Sequence, residues 1–91
     1  IKVMKTFEDI NWKKHKIPGA IQGTLHLGDG FEISVVAGEF MYCFPKENLG
    51  NPDLHSSFEV AIFNNDGDMI DDPLGWQSKN DINALLSNYS S

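Results

Sequence analysis

The chain has 91 residues, 41% of them apolar and ten aromatic, which excludes a disordered tail and fits one small globular domain over 1–91. Thirteen acids outweigh seven lysines for a net charge of −6, and there is no arginine. Arginine's planar fork is the usual grip on phosphate and guanine, so direct nucleic-acid binding is not expected, and no apolar run approaches the ~18 residues of a membrane span.

Charge is unevenly placed. Residues 1–16 carry five lysines against Glu8 and Asp9, giving +3, and the remaining chain carries −9. A body of that sign attracts basic surfaces and repels nucleic acid. A single cysteine, Cys43, leaves no internal disulfide, and the opening stretch lacks the apolar block of a signal peptide. A cytoplasmic location is therefore expected.

In chain order, "TFEDINWKKHK" predicts a helix over about 6–16. Thr6 is its N-cap and Asp9 completes a variant capping box. Lysines fall at its C-terminal end, and Pro18-Gly19 stops it. "AIQGTLHL" alternates with period two and predicts a strand over about 20–27; Gly28-Asp29-Gly30 supplies a hairpin turn. "FEISVV" returns as a strand over about 31–36, with Phe31, Ile33 and Val35 inward. "EFMYCF" predicts a further strand over about 39–44, apolar on both sides and suited to the sheet centre or to a place beside a covering helix. Within it Cys43 reads as a small buried apolar residue.

Residues 45–57 are rich in Pro, Gly, Asn and Ser and read as a long loop. A strand is expected over about 57–63 and a short one over about 68–70. Ser78 and Asp81 form another variant capping box. Behind it Ile82, Leu85, Leu86 and Tyr89 lie at i, i+3, i+4 and i+7, which predicts a closing helix over about 79–88. Together these elements describe an α+β fold, a three- to four-stranded antiparallel sheet with an N-terminal and a C-terminal helix packed on one face.

The stretch "FNNDGDMIDD" raises the question of a calcium site. A loop of the EF-hand kind with Gly67 at its glycine would place Asp66 and Asn64 correctly, but Ile62 at the first ligand position and Pro73 at the glutamate. That excludes the loop, and Asp-Gly between alternating runs reads as a β-turn. No metal and no cofactor are expected. The surplus of carboxylates, Asp66, Asp68, Asp71 and Asp72, is the candidate partner-binding surface. Trp76 is its candidate anchor if it faces solvent, core packing being the alternative. His15, His26 and His55 are scattered and read as surface or edge residues. No nucleophile elbow, P-loop, metalloprotease or dinucleotide signature is present, so an enzyme is not expected.

"GFEISVV", "FEVAIFNNDGDMI" and "PLGWQSKNDINALL", covering about residues 30–87, resemble small accessory proteins encoded by bacteriophages, a class that includes anti-CRISPR and other anti-defence proteins. The resemblance transfers no catalytic residue. It implies a non-enzymatic inhibitor that binds a host protein stoichiometrically in the cytoplasm of an infected bacterium, through an acidic surface aimed at a CRISPR-Cas or other nucleic-acid-handling complex. Two alternatives stand beside it. One is a structural module that forms a homodimer through a sheet edge. The other is a small-ligand sponge with a pocket under the 45–57 loop, bordered by Tyr42 and His55.

Overall fold

The computed structural model describes residues 6–27 and 30–89. Five strands form one antiparallel sheet: β1 (Asn11–Lys14), β2 (Ile21–His26), β3 (Glu32–Ala37), β4 (Phe58–Phe63) and β5 (Leu74–Gln77). They lie in chain order, a meander, and one α-helix, α1 (Lys79–Tyr89), follows β5. The α+β class and the closing helix are as the sequence predicts, whereas the strand count and the N-terminal element differ.

β2, β3 and β4 carry the period-two pattern onto one covered face. Ile21 and Leu25, then Ile33, Val35 and Ala37, then Phe58, Val60 and Ile62 point into the core, and α1 closes it with Ile82 and Leu86. The other face carries Gln22, Thr24, Ser34, Val36, Glu59 and Ala61, all half-buried. α1 begins as read: Ser78 Oγ accepts the Asp81 N–H at 3.1 Å, and the Asp81 carboxylate accepts the Ser78 N–H at 3.0 Å. Leu86 is buried and Leu85 only partly so, packed against the core's margin.

The helix expected over 6–16 is absent. Phe7–Asp9 makes a single 3-10 turn, closed where the Thr6 N–H donates to the Asp9 carboxylate at 2.8 Å, and Ile10 leaves it in extended backbone. The chain then runs as edge strand β1 with Trp12 opposite Gly23. Gly23 has no Cβ, and one there would collide with Ile10 and with the Trp12 ring. The indole therefore lies flat across β2 and joins Phe7 and Phe58, both at 5.7 Å between ring centroids. Ile10 and Trp12 thus follow period two, and the lysines guard an exposed sheet edge instead of capping a helix. The Phe7 N–H donates to Asn83 Oδ1 at 2.7 Å, which ties this turn to α1.

The strand expected over 39–44 is a loop that leaves the sheet. Only Phe44 pairs, in an isolated bridge to Ser57. Inner Met41 and Cys43 are buried, and the Cys43 thiol accepts the Gly38 N–H at 3.4 Å. The 45–57 loop contains one 3-10 turn, Pro52–Leu54. The strand expected over 68–70 reduces to a bridge between Phe63 and Met69, and pairing resumes at β5, which the Pro-Gly content of "PLGW" concealed. In the expected "GDG" turn, Gly28 and Asp29 lie outside the described residues, as do residues 1–5 and 90–91.

Candidate interaction surface

The acidic stretch begins as a tight turn. The Gly67 N–H donates to the Asn64 carbonyl at 3.0 Å, and Gly67 sits at φ 82, where a side chain would be strained. The Asn64 side-chain oxygen accepts the N–H groups of Asp66 and Asp68 at 2.9 and 3.0 Å, which fixes the turn from inside. This is the β-turn the sequence describes. Among the described residues, no group of three or more His, Cys, Asp or Glu is placed to hold a metal.

The turn divides the four candidate aspartates. Asp66 and Asp68 are exposed at its tip, whereas Asp71 and Asp72 stand at the mouth of a cavity of about 260 Å³. Val60 and Ile62 of β4 form its floor, and Ile70, Leu74, Leu85 and Tyr89 form its walls. Three separate elements build this cavity, so no local pattern announced it.

Trp76 lies toward the other end of the β4–β5 pair. The register sets Gln77 against Phe58 and Leu74 against Val60, so Gly75 and Trp76 together oppose Glu59 in a bulge. Four to five residues at ~3.3 Å each put Trp76 about 15 Å along the strands from the acidic tip. Trp76 takes φ 53, a left-handed conformation that costs a bulky residue about 1–3 kcal/mol. Its N–H donates to the Tyr42 carbonyl at 2.8 Å, and the Tyr42 N–H donates to the Glu59 carboxylate at 3.1 Å. A Cβ on Gly75 would stand 2.8 Å from that of Tyr42, so only glycine admits so close a strap.

The strap presents an aromatic surface. Phe40 is 73% exposed, Tyr42 55%, Phe44 64% and Trp76 57%. The Tyr42 and Trp76 rings meet at 5.2 Å between centroids, tilted by 38°, and Lys46 Nζ lies 5.3 Å from the Tyr42 ring centre. Trp76 is thus solvent-facing and its backbone is fixed. Sequence reasoning passed over Phe40 and Phe44, although the alternation of "FMYCF" beside Gly38 and Pro45 carried the signal for them.

His55 differs from its expected surface place. It is 3% exposed and lies against Phe58. Burial pushes its pKa below the usual histidine value, and the Pro45 carbonyl and Glu47 carboxylate oppose that shift without overcoming it. Of the two residues expected to border a ligand pocket, Tyr42 is on the surface and the His55 ring is enclosed. At the start of α1, the Ser78 N–H and hydroxyl hold the Asp81 carboxyl below its usual range.

In comparisons with known proteins, no family model, no curated protein and no solved structure matches this chain.

Proposed function

We propose that the chain acts without catalysis, by binding another protein through the aromatic surface of Phe40, Tyr42, Phe44 and Trp76. The exposed Trp76–Tyr42 pair carries this reading. Two exposed aromatic rings in contact, held by main-chain hydrogen bonds and a strained backbone and flanked in the chain by exposed Phe40 and Phe44, resemble the rigid anchors that dominate protein interfaces. Folding alone gains little from an indole left more than half in water. The acidic body and the aspartates of 66–72 then supply attraction toward a basic partner.

The resemblance to bacteriophage accessory proteins adds the class of partner and the consequence: a basic, nucleic-acid-handling host complex of the CRISPR-Cas kind, inhibited by stoichiometric occupation. Self-assembly through a sheet edge is less favoured. β1 is only four residues long and displays Lys13 and Lys14, and the Trp76 N–H at β5 is already taken by Tyr42.

The test is capture from bacterial lysate with three baits in parallel: the parent chain, Trp76→Ala, and the Asp66→Asn, Asp68→Asn, Asp71→Asn, Asp72→Asn variant. A stoichiometric partner held by the parent and lost with Trp76→Ala is the expected result. The quadruple variant should associate more slowly at low salt and match the parent near ~0.5 M, where the Debye length is a few ångströms. Equal capture by parent and Trp76→Ala rejects the reading.

A further inference from the structure

A cavity lies between α1 and the connection from β4 to β5, and its chemistry is specific. At about 260 Å³ it is smaller than the ~300–1,000 Å³ of small-molecule sites, and it has room for one large apolar side chain. Its floor, Val60 and Ile62, is continuous with the core, and its rim residue Leu74 is exposed. Such a hollow favours an apolar occupant.

The rim decides what must accompany that occupant. Asp71 and Asp72 stand side by side against apolar walls. The ion pairs among the described residues are His26–Glu32 and Lys79–Asp53, and neither involves them. Both carboxylates are exposed, so they keep their water whatever enters the cavity, but an anionic group at the mouth would be repelled and a cationic one attracted. A cation beside the apolar group is the complement of that rim.

We propose that this cavity receives an aromatic or branched aliphatic side chain from a basic segment of the partner protein, with an adjacent lysine or arginine paired to Asp71 and Asp72. The inference rests on the reading of the chain as a protein-binding module, and it gives that partner a sequence property: a large apolar residue next to a basic one. It also assigns two roles to the acidic stretch. The Asp66–Asp68 tip contributes long-range attraction, and Asp71 and Asp72 make the contact.

The test uses the ¹⁵N-labelled chain and four probes at about 20 mM salt, where screening is weak. These are N-acetyl-Phe-Lys-amide, N-acetyl-Phe-Glu-amide, N-acetyl-Gly-Lys-amide and phenethylammonium. N-acetyl-Phe-Lys-amide should bind in the millimolar range, shift the amides of Ile70, Leu74, Leu85 and Tyr89, and bind about 3- to 10-fold tighter than the Phe-Glu probe. That ratio should fall to about one in Asp71→Asn/Asp72→Asn, whose substitutions are on exposed positions and leave the fold intact. The Gly-Lys probe should produce no shifts at the cavity walls. Equal affinity for Phe-Lys and Phe-Glu overturns the proposal, as do shifts confined to other parts of the chain. Phenethylammonium binding as tightly as the Phe-Lys probe overturns it in favour of a free amine. The titration requires no partner, so its failure is separable from that of the protein-binding reading: a partner lost with Trp76→Ala but indifferent to Asp71→Asn/Asp72→Asn rejects the cavity's role alone.

Discussion

Two segments of this chain open with the same device and end as different structures. Thr6-Phe7-Glu8-Asp9 and Ser78-Lys79-Asn80-Asp81 both set an aspartate three residues after a hydroxyl residue, and in both its carboxylate accepts the N–H of the first residue. After Ser78 an 11-residue helix follows, and after Thr6 the helix lasts one 3-10 turn and gives way to a strand. The cap therefore permits a helix without deciding it. What decides is the spacing of apolar residues behind the cap and what lies across from them. Ile82, Leu85, Leu86 and Tyr89 make one helical face over the sheet, whereas Ile10 and Trp12 match an extended chain lying over Gly23.

The comparison breaks most sharply at the helical face. Leu86→Ala should cost about 2–5 kcal/mol, because the side chain is fully buried and its removal leaves a cavity. Leu85→Ala, at the half-exposed margin, should cost clearly less, and chemical denaturation of the two variants orders them. If Leu85 proves the costlier residue, α1 packs on the sheet by another face.

The strand is broken from the opposite side. Gly23→Ala places a methyl where Ile10 and Trp12 now lie, and should destabilise by about 1–3 kcal/mol, with most of the loss in β1. Amide exchange should then accelerate at Asn11–Lys14 far more than at Ile33 or Val35. Uniform acceleration would mean that β1 is not a separable edge.

The caps give the smallest effect and sharpen the contrast. Ser78→Ala removes an oxygen that accepts the Asp81 N–H and should cost about 1 kcal/mol. Thr6→Ala should cost less, because the bond that closes its turn comes from the Thr6 backbone and survives the substitution. The Asp81 carboxyl is held below its ordinary value of 3.8 by Ser78, so its contribution is complete above that pH and is lost as pH falls through the lowered value. Ser78→Ala removes the hydroxyl's hydrogen bond and keeps that of the Ser78 N–H, so the folded value moves toward 3.8 and the acid-side loss should be smaller and finish at higher pH, as a titration of helix signal at 222 nm would register.

The same contrast explains what could be read from the sequence. β2, β3, β4 and α1 were legible because their periodicity is local and unbroken. β1 was not, because its conformation depends on Gly23, eleven residues beyond Trp12. β5 was hidden by Pro73 and Gly75, whose purpose there is to admit Tyr42. The 40–44 segment alternates as a strand does, yet its outward residues are large aromatics left in water, which a central strand would have buried. Of the candidate site, the Asn64–Gly67 turn was legible from Asp-Gly alone. The exposure of Trp76 depends on a strap more than thirty residues away, and the cavity beneath Asp71 and Asp72 on three elements at once.

The enclosure of His55 makes this fold a proton-linked one. The unfolded chain takes up a proton on this ring near pH 6.5, and the folded chain resists it to lower pH. Unfolding therefore absorbs a proton in that window. Stability is complete above pH 6.5 and declines by as much as ~1.4 kcal/mol per pH unit as the medium acidifies toward the folded value. Melting temperature followed from pH 8 to pH 5 should fall for the parent and flatten for His55→Gln. Because His55 lies in the 45–57 loop that follows the exposed Phe40–Phe44 segment, the proton taken up on unfolding enters beside those aromatics.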